Sequence, residues 1–172
     1  MKKVILVAVM VLTGLSGYAQ KENMGMKFAY LSIDSVMQSM EEYAQLQQDM
    51  AAMRQQYEAE MKRVEDDFNK KYEEFLDGQK NFPKTILQKR QSELQEMMDK
   101  NIAFKKESLR LLDDTEKTQT DVIRMMVEMA VKTLGMQRGY AFILNTDADA
   151  TPWLNPALGD DITEDVKALL KE

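Results

Sequence analysis

The sequence predicts a mainly α protein with a small β body, an α+β arrangement in which a long antiparallel helical hairpin arm projects from a strand-containing oligomerisation base. Three observations carry this reading. Two amphipathic stretches, roughly 40 and 50 residues long, contain no internal Gly or Pro. A break at Gly78, Asn81 and Pro83 separates them, and strand-like runs occur only near the two ends of the chain.

The chain opens with Lys2 and Lys3 ahead of an apolar run from Val4 to Leu15. That run is too short to span a bilayer but suits the core of a secretory leader. Small residues at Gly17 and Ala19 place cleavage between Ala19 and Gln20, so residues 1–19 read as a signal peptide. No Cys follows to accept a lipid, so the expected product is soluble in the periplasm of a Gram-negative bacterium. Losing two lysines moves the formal charge from -6 to about -8, over a length that suits one domain.

This acidic balance argues against nucleic acid as a partner, because phosphate affinity comes mainly from Lys and Arg releasing counterions. The absence of Cys removes disulfides, thiolate metal sites and thiol nucleophiles, and the absence of His removes the commonest general base and zinc ligand. No enzyme activity and no cofactor is expected. An enzyme or Ca²⁺ site would have to use Asp147, Asp149, Asp160 and Asp161, but their Asp-x-Asp spacing lacks the other ligands of an EF-hand loop. Turns and a helix N-terminus account for these acids more simply.

The first strand is expected over 27–33, where Phe28 and Tyr30 alternate with Ala29 and Leu31. Asp34 is placed to cap a short helical turn. Ser39 and Glu42 have the spacing of a capping box opening a much longer helix. That helix, from about Met40 to Asp77, would be nearly 60 Å long. Its apolar positions recur three or four apart: Tyr43, Leu46, Met50, Met53, Tyr57, Met61, Val64, Phe68, Tyr72 and Phe75. From Met53 onward the period of about 11 residues suits a nearly straight pair of helices.

After the break, a returning helix from about Lys84 to Leu134 completes the hairpin, with the tip near 78–84 and the arm over 40–121. Asp113 to Asp121 contains no apolar residue, so packing should thin there. Beyond it, Val122, Ile123, Met125, Met126, Val127, Met129, Ala130, Val131 and Leu134 are too many for one stripe. They require a shared core, either with the chain's own strands or with another subunit. Gly135 should close the helix. Strands are then expected at 140–144 and 150–154, pairing back across a polar turn, with Pro152 marking an edge. Thr163 should cap a final helix over 163–171. The oligomerisation body thus comprises 20–39 together with 122–172. A base this small is expected to gain stability by self-association.

Contact with a partner chain is assigned by side-chain type. The arm lining and tip offer Met53, Tyr57, Met61, Phe68, Tyr72, Phe75, Phe82, Met97, Met98 and Phe104 as a mobile apolar surface. The same residues could instead lock the two helices together. Lys80, Lys84, Lys89 and Arg90 begin a lightly basic stretch that continues through Lys100, Lys105, Lys106 and Arg110, against an acid-rich outgoing helix. Its alternatives are an ordinary solvated face or a grip on acidic or lipid-adjacent partners, with transient contact at a membrane surface. Candidates for subunit association are Phe28, Tyr30, Leu31, Val122, Met126, Met129, Phe142, Leu144 and Trp153.

The leader, the segment from Phe28 to Met37, the long hairpin, and Phe142-Ile143-Leu144-Asn145 followed by Asp161 to Val166 together resemble the Skp/OmpH family of periplasmic chaperones. The resemblance covers essentially the whole mature chain. It implies a homotrimer with a strand-built body and three helical arms enclosing a cavity. There, unfolded outer-membrane β-barrel proteins would be kept from aggregating without ATP. The family's best-known members are strongly basic whereas this chain is acidic, so no lipopolysaccharide-binding residues are carried over. A structural coiled-coil scaffold or spacer of the cell envelope is the alternative that the hairpin length equally permits.

Overall fold

A computed structural model describes residues 26–147 and 151–171. The expected leader and its cleavage site lie outside the described residues. In chain order the elements are β1 (Phe28–Leu31), α1 (Ile33–Gln38), α2 (Glu41–Gly78), α3 (Lys84–Arg138), β2 (Phe142–Asn145), β3 (Asp160–Asp161) and α4 (Thr163–Leu169). Helices α2 and α3, of 38 and 55 residues, form the antiparallel hairpin. At about 1.5 Å per residue they extend roughly 57 and 82 Å.

The three strands form one sheet in the order β2-β1-β3, and both pairings are parallel. This corrects the expectation that two C-terminal strands pair back on each other. The length of α3 explains the direction. Arg124 reaches Asp34, just beyond the end of β1, at 3.8 Å, and the helix then continues for four more turns alongside the sheet. The chain therefore emerges at the start of β1, where the Ala141 amide donates to the Lys27 carbonyl. From there β2 can only run in the same direction as β1.

The strand expected at 150–154 is not formed at Thr151–Leu154, and Ala150 lies outside the described residues. Pro152 cannot donate to a ladder, and Trp153 remains 77% exposed. The third strand is instead Asp160–Asp161, docked on the other edge of β1 through Ala29 and Tyr30. Its entry depends on Gly159, where an added Cβ would lie 2.3 Å from the Phe28 ring.

The helix starts also differ from expectation. Ser32, not Asp34, caps α1, its Oγ accepting from the Ser35 amide at 3.0 Å. Ser39 spends its hydroxyl on the Val36 carbonyl at the end of α1, so no capping box forms and extended Met40 leads into α2 without a side-chain cap. Glu41 and Glu42 in the first turn still favour the positive end of the helix. Thr163 is the first helical residue of α4, its N-terminus organised by Asp161, whose Oδ1 accepts from both the Thr163 amide and hydroxyl. Helix α4 ends at Leu169 rather than 171.

Helix α3 also runs past Leu134 to Arg138. Gly135 lies buried within it, where a Cβ would press on Ile143 Cδ1 at 2.9 Å. Gly139 makes the stop, at φ 68° and ψ 33°, the left-handed geometry that glycine accepts without a Cβ penalty.

The core lies where the hairpin meets the sheet. Ala29 and Leu31 point into it from β1, Val36 and Met37 from α1, Leu46 and Met50 from α2, Ile123, Val127, Ala130 and Leu134 from α3, and Ile162 and Val166 from the C-terminal segment. Full burial of such side chains contributes roughly 1.5–3 kcal/mol each before chain entropy is counted. Leu112 also belongs to this core, so buried packing continues from the sheet into the near end of the hairpin.

Candidate functional site

Distal to Met50 on α2 and Leu112 on α3, no apolar side chain is buried among the described residues. The arm candidates divide in two. Met53, Tyr57, Met61, Phe68, Phe75, Met97 and Phe104 are half-buried along the hairpin, and Phe82 is half-buried at its tip. Tyr57 and Phe104 meet across the seam between α2 and α3 with centroids 6.2 Å apart, while Phe68 and Tyr72 stack along α2 at 6.0 Å. Tyr72 and Met98 are more than 40% exposed. Leu76, Ile86, Ile102, Leu109 and Leu111 are exposed as well and were not singled out as contact residues. Periodicity shows which residues belong to a stripe but not how incompletely a two-helix seam covers it.

At the tip, Phe82 folds back over Gly78, a placement that a Cβ on that residue would contest at 2.2 Å. Phe75, Phe82 and Leu94 line a small hollow of about 70 Å³ bordered by Lys71, Glu74, Arg90 and Glu93. Lys80, Lys84, Lys89 and Arg90 are all exposed. Lys89 and Arg90 both turn toward Glu93, at 3.6 and 3.4 Å. Further along, Lys100 pairs with Glu96, and Arg110 with Glu107 and Asp114. These contacts hold Glu96 and Glu107 below the usual carboxylate range, chiefly through the side-chain hydrogen bonds they accept. Four of the eight basic residues thus pair within α3, while Lys80, Lys84, Lys105 and Lys106 are in no ion pair among the described residues.

The α3 segment with excess apolar residues resolves into two faces. Ile123, Val127, Ala130 and Leu134 fill the chain's own core, whereas Val122, Met125, Met129 and Met136 are 49–70% exposed. The sheet is two-sided in the same way. Ala29 and Leu31 point inward, and Phe28 and Tyr30 occupy the opposite face. Phe142 pairs with Phe28 and stacks on it at 5.4 Å, and Leu144 pairs with Tyr30.

Among the association candidates, Leu31 is therefore corrected: at 1% exposure it is a core residue with no surface for a partner. Phe28, Tyr30, Phe142 and Leu144 share the outer sheet face. Val122 and Met129 lie on the exposed helix stripe, Met126 is half-buried, and Trp153 stands free of the sheet.

The acids weighed for metal binding have other bonds. Asp147 accepts from the Asp34 amide at 2.8 Å, and Asp161 organises the start of α4. Asp160 accepts from the Tyr140 hydroxyl at 2.7 Å and lies 3.4 Å from Lys27, which together hold its carboxyl below the usual range. Asp149 lies outside the described residues. No group of three or more potential metal ligands occurs among the described residues, and no helix there is long and apolar enough to cross a membrane.

No curated protein sequence matches the chain. A crystal structure of an OmpH-like outer membrane chaperone candidate from Caulobacter crescentus CB15 superposes with a TM-score of 0.68 at 16% identity. The superposition covers 83% of this chain and 82% of that one. The family model described as outer membrane protein (OmpH-like) matches residues 27–170. That span runs from the first residue before β1 to the last turn after α4 and takes in sheet, arm and core together, so the chain belongs to the OmpH-like family.

Proposed function

We propose that this chain is an ATP-independent holdase chaperone of the Gram-negative periplasm, exported by the leader ending at Ala19. In this reading, unfolded outer-membrane β-barrel proteins are held in a cavity between the arms of a homotrimer and so kept from aggregating. The observation that carries the reading is the division of packing along the arm. Buried apolar side chains stop at Met50 and Leu112, and beyond them a hairpin of aromatic, Met and Leu/Ile residues stays half-covered or open. Apolar attraction has no directional requirement, so such a lining can hold many unfolded sequences weakly without choosing among them.

The client-contact residues are the half-covered seam with Tyr72 and Met98. The tip lysines assist by charge. Self-association uses the outer sheet face of Phe28, Tyr30, Phe142 and Leu144 together with the Val122–Met129 stripe. Membership of the OmpH-like family supports the chaperone reading.

The direct test is light scattering of a denatured outer-membrane protein diluted from urea into the mature chain, with sedimentation equilibrium on the same sample. Suppressed scattering and a trimer mass are expected; full aggregation at stoichiometric chain overturns the proposal. A structural scaffold would instead give slow amide exchange along the whole arm, including 113–121.

A further inference from the structure

At the root of the arm, α2 and α3 flank an open groove of about 590 Å³. Its floor is formed by Leu46, Met50 and Ile123, and its sides include the half-buried Met53 and Met126. The α2 rim is acidic, with Glu41, Glu42 and Asp49, while the facing α3 wall presents Thr115 and Gln119. We propose that this groove is a docking subsite for client segments that combine apolar with cationic side chains. The inference rests on the chaperone reading above and deepens it by naming the kind of segment bound.

Charge is the first argument. None of the three rim carboxylates is in an ion pair among the described residues. Of the neighbouring cations, Arg54 is committed to Glu116, Arg124 turns toward Asp34 and Lys167 pairs with Glu164, which leaves Lys171, in the hollow it shares with Glu41 and Glu42, as one cation against three carboxylates. The rim therefore presents net negative charge beside an apolar floor, which attracts lysine and arginine and repels acidic chains. Val122, on the stripe assigned above to self-association, borders the groove on the α3 side, but along the acidic rim a second copy is a poor occupant by the same criterion, since its own α2 carries eleven acids against five bases.

Size and compliance are the second argument. From Glu42 to Met53 the groove follows α2 for about 16 Å, enough for roughly five residues of extended chain. Methionines at the sides adapt to different apolar shapes because their unbranched thioether chains rotate easily. A strand-forming segment with alternating apolar and basic residues can place one set on the floor and the other against the rim.

The test is fluorescence anisotropy with two labelled peptides of the same alternating apolar residues, one interleaved with lysine and the other with glutamate. The full mature chain is used, and aggregation suppression is measured on the same preparation. The lysine peptide should bind about tenfold tighter at low salt, the sum of a few exposed charge contacts, and the preference should collapse in E42Q/D49N. Both substitutions are on exposed residues, and helix content by circular dichroism checks that the fold is kept.

Equal binding of the two peptides, or a preference that survives E42Q/D49N, overturns the subsite even if aggregation is still suppressed. Absence of aggregation suppression by the unmodified chain overturns the chaperone reading and the subsite with it. Failure of both peptides while Q45C chains cross-link to one another assigns the groove to a second copy, which also overturns the inference.

Discussion

Asn101 donates its side-chain amide to the main-chain carbonyl of Val64 at 3.1 Å, a polar tie across the middle of the arm. Among the described residues, the only other side-chain hydrogen bond between α2 and α3 is the exposed Arg54–Glu116 pair. Asn101 is half-buried beside Phe68 and Met98, where an apolar seam alone would tolerate sliding of one helix along the other. The hydrogen bond selects one register. Asn101→Asp removes the donor at neutral pH and sets a carboxylate against a carbonyl oxygen. The expected cost is about 1–3 kcal/mol, read as faster amide exchange from residues 57 to 105 and a lower urea midpoint.

Ser108 presents the opposite situation. It is 1% exposed in the seam, and its Oγ has no hydrogen-bond partner. A buried hydroxyl left unpaired costs about 1–3 kcal/mol, and serine is also a poorer helix former than alanine. Ser108→Ala keeps the small volume that the close helix approach requires. It should raise the urea midpoint by an amount equivalent to about 1 kcal/mol with an unchanged m-value. A stabilised arm that also suppresses aggregation less well would tie arm looseness to client holding.

At the tip, Gly78→Ala sets two effects against each other. Alanine is the better helix former by about 1 kcal/mol, but its Cβ would collide with the end of the Phe82 ring. Swinging the ring outward relieves the clash at the cost of its contact with the tip hollow, so the expected result is near-neutral global stability with a displaced Phe82. Amide exchange should accelerate over residues 79–90 and not near β1. At Gly139 no neighbour lies within 4 Å, so the cost of Gly139→Ala comes from its positive φ alone, about 1–2 kcal/mol in the urea midpoint.

These positions show what the sequence makes legible. The hairpin was readable because a stripe at helical spacing over two Gly- and Pro-free stretches has one economical solution, two rods side by side. Strand β1 and strand β2 were readable from alternation and from the β-rich run ending in Phe142-Ile143-Leu144. Strand β3 was not, because Asp160 and Asp161 carry no strand signal and owe their pairing to the loop that brings them to β1. The capping errors share one cause: Ser32, Asp34 and Ser39 all lie in or next to the six-residue α1, and which of them caps, and at which end, depends on where the backbone leaves β1. The groove at the arm root was invisible for a related reason. Its acids, Glu41 and Glu42 in the first turn of α2 and Asp49 two turns on, look like an ordinary solvated face, and only the packing of α3 beside them makes them a rim.

The outer edge of the sheet carries a pH-dependent contact. Asp160 accepts from the Tyr140 hydroxyl and lies near Lys27, which also sits over the Tyr140 ring at 4.7 Å. The hydrogen bond from Tyr140 is the largest cause of the depressed Asp160 pKa, with the Lys27 contact second among the favourable causes. A carboxyl depressed on folding adds stability that is fully present above its unfolded-state pKa and is lost as the pH falls through the lower folded value. The docking of β3 on β1 should therefore be constant near neutral pH and weaken only in strong acid. Tyr140→Phe removes the main cause, so the Asp160 pKa should climb toward the ordinary aspartate range and loosening should begin at a higher pH. A carbon-detected NMR titration of the Asp160 carboxyl in both chains measures this. An unchanged midpoint in Tyr140→Phe would show that Lys27, not the phenol, governs this edge.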